Sequence, residues 1–297
     1  MKWKSSVAII LLFPVLALAH SGEPLRPDDL ASAWEFDSGV VIPLLISALL
    51  YARGTYVQRI ANRRQNLYFW CGWTMLAFAL VSPLHPLGEV LFSAHMVQHE
   101  ILMLAAAPLL VLSRPLVTFL FGLPFDWRRN LGHWAKTEHV RGIWRFLTEP
   151  LTAWSIHAAA IWIWHAPFLF ELTLKSELAH TAQHLSFFLT ALLFWWALFY
   201  AHGRNAYGLA FLYVFTTAVH TSVLGALLTF ASHVWYPAYS ATTQAWGLTP
   251  LEDQQIGGLI MWVPAALVYL AAGLWLFAGW LKESDLMLAR TRNAQER

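Results

Sequence analysis

The stretch HMVQHEILML places His95 and His99 four positions apart at the start of an apolar segment, and HTAQHLSFFL repeats the arrangement with His180 and His184. Residues i and i+4 of an α-helix project from one side, about 40° apart around the axis, so each pair aims two imidazole nitrogens at one point. Two such faces opposed supply four imidazoles, enough to hold a metal ion. Met96 adjoins the first pair, Met103 continues its face at i+8, and His165 falls near the same depth. Imidazole with thioether suits copper, Cu(I) in particular, better than magnesium or calcium. The single cysteine, Cys71, makes neither an intrachain disulfide nor a two-thiol metal site, so soft-metal chemistry rests on His and Met. One HxxxH pair alone is equally well explained by an interfacial imidazole bonded to a loop carbonyl. Two pairs at matching depth favour metal or proton handling, because polar groups in a membrane are costly and mark function.

The elements that position these residues are membrane helices. The chain of 297 residues is 58% apolar and only 12% charged, with mean hydropathy +0.50 and 17 tryptophans; a soluble domain carries about 25% charge. Lys2 and Lys4, an apolar run from Val7 to Leu18 and the small residues Ala17 and Ala19 read as a signal peptide over residues 1–19. A short polar, acidic extracytoplasmic tail follows at 20–37. A bilayer core takes about 20 apolar residues per helix, and seven candidates follow, near 38–53, 67–84, 92–113, 150–166, 179–200, 207–231 and 256–280. The third can slide toward Gly122. The expected fold is all-α, a polytopic bundle of seven spans over 38–281 with a cytoplasmic tail at 282–297.

Basic residues orient it. With the mature N-terminus outside, fifteen of the 19 Lys and Arg fall on inner segments, against Arg26 and Lys175 outside. The N-terminus is then periplasmic and the C-terminus cytoplasmic, in a bacterial inner membrane. His95, His99, His165, His180, His184 and His233 come to the outer ends of their spans, His157 and His220 lie deeper, and His133, His139 and His202 lie inside. Eleven of the 17 acids are outside, giving that face a field that draws in cations.

Other features carry less. WIWHAPFLFEL reads as a Pro-broken helix end, with Trp162 and Trp164 as interfacial anchors and Glu171 as a ligand or a partner to one. In the longest outer loop, SHVWYPAYSATTQAWGLTPLEDQQIGG, Tyr and Trp read as membrane-interface belt, and Asp253 or Gln254 can orient a metal-bound imidazole. His157 and His220 suit an internal relay or are satisfied core histidines. His20, if it becomes the N-terminus, offers a Cu(II) chelate.

The ordered segments HMVQHEILMLAAAPLLVL, WHAPFLFELTL, HTAQHLSFFLTALLFWW, GALLTFA and LEDQQIGGLIMW resemble the signatures of the CtaG family of caa3-type cytochrome c oxidase assembly factors, from about residue 40 to 280. That family is distinct from the single-span copper chaperone that shares the CtaG name in some bacteria. The resemblance implies a polytopic plasma-membrane protein needed to build the oxidase through its copper centres. Phe170 stands where Tyr is expected, and Gln183 where an acidic residue is common. These departures bear on a phenol or carboxylate role there and leave the histidine pattern intact.

Competing classes differ in their histidines. A di-iron hydroxylase or desaturase needs HxxHH boxes facing the cytosol, which this chain lacks. A haem b protein can use His220 and His233, but stacked bis-His haems need a partner helix of matching spacing. A plain metal transporter is a third rival. The sequence therefore reads as a copper-binding assembly factor rather than an enzyme, with His95, His99, His180 and His184 as ligands, His165 and Met96 as auxiliary ligands, and Met103 on the path of the ion. Its partners are cytochrome c oxidase subunits, periplasmic copper chaperones and the lipid bilayer; nucleic acid is not among them.

Overall fold

The computed structural model describes residues 24–58, 62–201 and 207–295, with side chains of the last helix described to Leu281. The signal peptide expected at 1–19 lies outside the described residues, as do His20 and His202. Among the described residues there is no strand. The helices are α1 (Ser38–Gln58), α2 (Arg63–Val81), α3 (Leu84–Val90), α4 (Phe92–Ser113), α5 (Pro115–Gly122), α6 (Phe125–Ala135), α7 (Glu138–Leu147), α8 (Pro150–Trp164), α9 (Pro167–Lys175), α10 (Glu177–Tyr200), α11 (Tyr207–Thr229) and α12 (Pro250–Gln295).

All seven segments expected to span are helical. Five of them, α1, α4, α10, α11 and α12, are long and apolar enough to cross a membrane; α2 and α3 reach that length and hydropathy only together, as a pair bent by 45° that forms either a broken span or a re-entrant loop. The remaining helix, α8, has 15 residues, about 22 Å at 1.5 Å per residue, short of a 30 Å hydrocarbon core.

Breaks fall where the backbone chemistry puts them. Arg114 adopts a left-handed conformation, φ 50°, and Pro115 has no amide hydrogen to continue the ladder. The third segment therefore stops at Ser113 instead of sliding to Gly122, and α5 turns back against α1. His165 and Ala166 separate α8 from α9, as the proline in WIWHAPFLFEL implied. Helices α6 and α7 bury no residue; they show Phe125, Trp127, Leu131 and Phe146 beside Arg128, Arg129, Arg141 and Arg145, the composition of helices lying in a membrane interface.

Helices α4 and α10 run parallel. His95 and His180 meet near their starts, with ring centroids 5.4 Å apart, and Tyr200 Oη donates to the Val111 carbonyl near their ends (3.4 Å). The Arg114 guanidinium lies 4.3 Å from the Tyr200 ring. Along α4, His95 and Arg114 are separated by about 28 Å of rise, so the histidines and the basic loop occupy opposite ends of one bilayer-length bundle.

Helix α12 joins the rest through two adjacent glycines. A Cβ on Gly257 would lie 2.3 Å from the Phe92 ring of α4, and one on Gly258 would lie 2.6 Å from the Thr229 amide nitrogen of α11. Within lipid, helices associate through such close backbone approach, because apolar contact with a neighbour offers little over contact with acyl chains. The Gly-Gly pair in LEDQQIGG thus seats α12 against both α4 and α11.

Candidate metal centre

Helices α3, α4 and α10 and the α8–α9 junction bring six histidines together. Within each HxxxH pair the ring centroids are 4.3 Å apart, as one turn of helix dictates. Across the helices His99 lies 5.0 Å from His184, and His95 lies 5.4 Å from His184. Two groups of three have ligand atoms within 4.8 Å of one another: His95, His99 and His184, all buried, and His85, His180 and His184.

The hydrogen bonds fix several ring tautomers. His165 caps α8 with Nδ1 2.7 Å from the Ile161 carbonyl; a carbonyl only accepts, so Nδ1 carries the proton and Nε2 keeps its lone pair. With Gln183 Oε1 accepting from His95 Nε2 at 3.2 Å, the lone pair of His95 is on Nδ1. Neither of those lone-pair nitrogens has a hydrogen-bond partner in the protein, nor do His180 Nε2, His184 Nε2 or either nitrogen of His99. A buried polar atom left unpaired costs about 1–3 kcal/mol, and native interiors hold few. Six in one cluster, with His99 contributing one N–H and one lone pair, form a set of ring nitrogens without protein partners.

Met96 and Met103 are buried in the main core cluster. A Cβ on Gly257 would lie 3.3 Å from Met96 Cγ, which puts that side chain at the α12 contact. Beyond Glu100, α4 continues as a π-helical turn, Ile101–Ala106. The wider turn breaks the α-helical i+8 register expected to carry Met103 on the face of His95, and the Met103 carbonyl accepts from Trp195 Nε1 (2.8 Å).

Asp253 orients a helix rather than an imidazole. Its carboxylate accepts from the amides of Phe92 (2.7 Å) and Ser93 (3.1 Å) and from the Ser93 hydroxyl. These amides open α4 and have no intrahelical acceptor, so a residue far along the chain caps the helix that carries His95 and His99. Gln254 holds the loop instead, accepting from the Trp235 amide at 2.6 Å and donating to the His233 carbonyl at 3.3 Å. Asp253→Ala strands two buried amides at about 1–3 kcal/mol each. Its melting midpoint in detergent should fall by several degrees, with Asp253→Asn, which keeps an acceptor, in between. A wild-type midpoint for Asp253→Ala would count against the cap.

The loop aromatics expected at the membrane interface are partly inside. Tyr236 and Tyr239 are buried, and their hydroxyls donate to the carbonyls of His165 (2.9 Å) and Gly88 (3.0 Å). They clamp the loop over the site. Phe170 is buried with its ring 4.3 Å from Tyr236 and 5.2 Å from His95, so its apolar ring walls the cluster. Glu171 faces away, with Lys175 Nζ 3.5 Å from its carboxylate. His157 Nδ1 meets Thr190 Oγ1 at 2.9 Å, and His220 Nδ1 accepts from Trp162 Nε1 at 3.3 Å. Both are served within their own surroundings.

The model of the family described as cytochrome c oxidase caa3 assembly factor (Caa3_CtaG) matches residues 49–283, which contain all six clustered histidines. The chain belongs to the Caa3_CtaG family. It is also similar to uncharacterized protein Mb0105 of Mycobacterium bovis, 26% identical over 273 residues, and to uncharacterized protein ML1998 of Mycobacterium leprae, 25% identical over 277 residues. Each match covers 87% of this chain and 41% of the relative, so the chain spans about two fifths of the length of these curated relatives. No solved structure matches it.

Sequence reasoning for this Caa3_CtaG protein missed His85, which stacks on His180 at 5.2 Å with ring planes 4° apart. Its signal was position: it stands between Pro83 and Pro86 at the outer end of the second candidate span. Gln98 was also passed over; its Nε2 lies 2.7 Å from the Ala79 carbonyl and 2.8 Å from His85 Nδ1.

Proposed function

We propose that the protein holds copper, as Cu(I), on His95, His99, His180 and His184 at the periplasmic side of a seven-span bundle and helps deliver it to a nascent cytochrome c oxidase. The observation that carries this reading is the set of six buried imidazole nitrogens without protein partners, gathered from α4, α10 and the end of α8. Membership of an oxidase assembly-factor family supplies the acceptor. His165 offers Nε2 as an auxiliary ligand, its ring 6.4 Å from that of His99, Met96 offers its thioether as a second, and Met103 stands on the path of the ion.

The donor chemistry favours copper over the rivals. Among the described residues, the groups able to hold a metal are imidazole without carboxylate, a set that suits copper better than the oxygen-preferring ions, and the HxxHH boxes of a di-iron hydroxylase are missing from the sequence. Rings packed 4.3 to 5.4 Å apart leave no slot for a porphyrin within the cluster, and outside it His220 Nδ1 is taken by Trp162 Nε1. Delivery by ligand exchange breaks no covalent bond of a substrate, so this is not an enzyme's site. Oxidase subunits receive the ion and periplasmic copper chaperones supply it.

Metal analysis of the purified protein tests the reading. Wild type should carry copper, and His95→Ala/His99→Ala should lose most of it while still inserting; equal copper in both proteins would rule out the site. For the topology, a phosphatase fused after Arg297 should be inactive and one inserted near Thr242 active. The reverse would put the histidines on the cytoplasmic face.

A further inference from the structure

Two three-imidazole groups meet in this cluster, and they differ in depth. His95, His99 and His184 are all buried, whereas His85 keeps 20% of its side chain exposed. His184 belongs to both groups. Resting on the copper reading above, we propose that His85, His180 and His184 form an outer station through which Cu(I) reaches the inner group, with His184 holding the ion as its other ligands change.

The surroundings of His85 suit a receiving ligand. The Ala79 carbonyl can only accept, which fixes the nitrogen of the Gln98 amide on that side, and the same nitrogen lies 2.8 Å from His85 Nδ1. Its second proton therefore goes to Nδ1, so the ring proton of His85 sits on Nε2, 3.5 Å from the Glu35 carboxylate. A metal taking Nδ1 displaces one neutral amide bond and keeps a carboxylate behind the ring, a pairing that orients an imidazole ligand and raises its basicity. Glu35 is itself one-quarter exposed and adds its charge at the mouth, where an approaching cation meets it first.

The geometry also explains why the stations work in sequence. Metal–imidazole bonds of about 2.0 Å place three ligand nitrogens roughly 3.3–3.5 Å apart, so each group, now within 4.8 Å, must contract around an ion. His184 contracts toward one group at a time. The ion stays Cu(I) throughout: His85 leaves it, His95 and His99 bind it, His180 stays beside it as the fourth imidazole of the set, and no electron or proton is transferred. Gln98 lies beside His99 in sequence, so the amide released by His85 is carried on the helix of the inner ligands.

The test is Cu(I) loading of the purified full-length protein from a chromophoric Cu(I) chelator, followed in time and to equilibrium. Wild type should take up one ion per chain. His85→Ala should reach a final affinity within a few-fold of wild type but load at least about tenfold more slowly, the scale on which support of a metal site acts. Glu35→Gln, which removes no ligand and keeps the side chain's shape, should slow loading less and leave the affinity unchanged. Wild-type loading rates in both variants would overturn the outer station. Loss of the ion from His85→Ala to the extent seen for His99→Ala would also overturn it, making His85 part of a single site. Failure of the wild-type chain to bind Cu(I) would instead strike the copper reading itself.

Discussion

Replacing His184 with alanine is expected to strip the protein of copper more completely than any other single change in the cluster. His184 is the residue common to both three-imidazole groups, and its ring packs against His99 and His95 as well as His180. Without it neither group keeps three ligands. Losing a partner outside the ligand shell typically costs about 10- to 100-fold in metal affinity or activity, and loss of a shared ligand should exceed that. His165→Ala should do less, since His165 belongs to neither group. Insertion should be unaffected in both variants, because the apolar helices still satisfy their own backbone in lipid. Competition for Cu(I) against a chelator of known affinity measures the difference. Equal retention by His184→Ala and the parent would leave the unpartnered nitrogens to water or to proton handling and remove copper from the site.

The parts of this site that were legible in the sequence are those set by local geometry. His95 with His99, and His180 with His184, follow from one turn of helix, and the apolar runs around them announce membrane helices. The unread parts depend on contacts between distant segments. His85 sits beyond the Pro83 break on α3, which packs against α4, and it meets His180 and His184 by its ring alone, a contact for which no local periodicity exists. Asp253 caps α4 across 161 residues of chain, and an acidic residue near a helix start looks the same in sequence whether it serves its own helix or another. Tyr236 and Tyr239 have the composition of an interfacial belt, and only the fold of the loop turns their hydroxyls inward. The π-turn after Glu100 is likewise silent in the apolar pattern, and it changes the helical register on which the position of Met103 depends. Gln183 stands out in the sequence only as a replacement for an acidic residue; that its amide oxygen meets His95 of the opposite pair, and not its neighbour His184, is set by the packing of α4 on α10.

In a strain lacking this gene, cytochrome c oxidase activity should fall severely while the oxidase transcripts persist. Family membership points to the oxidase, and the histidine cluster supplies a reason for the defect to lie in metal delivery. An oxidase subunit made without its copper is a translated but inactive product, so the loss should appear in the copper content of the enzyme. Added copper should restore part of the activity, since mass action populates a metal site in proportion to free ion over its dissociation constant but does not replace guided transfer. A lipid hydroxylase would alter acyl composition instead, and a haem-bearing carrier would remove its own absorbance from the membranes. Complementation by wild type should recover activity. Complementation by His95→Ala/His99→Ala should not, provided the variant is present in the membrane at the parent's level, which immunoblotting establishes. Normal oxidase activity and copper content in the uncomplemented strain, with no second homologue present, would dismiss the assembly role. Full recovery with the double variant would keep that role and separate it from the imidazoles, because the helical bundle would then suffice without its ligands.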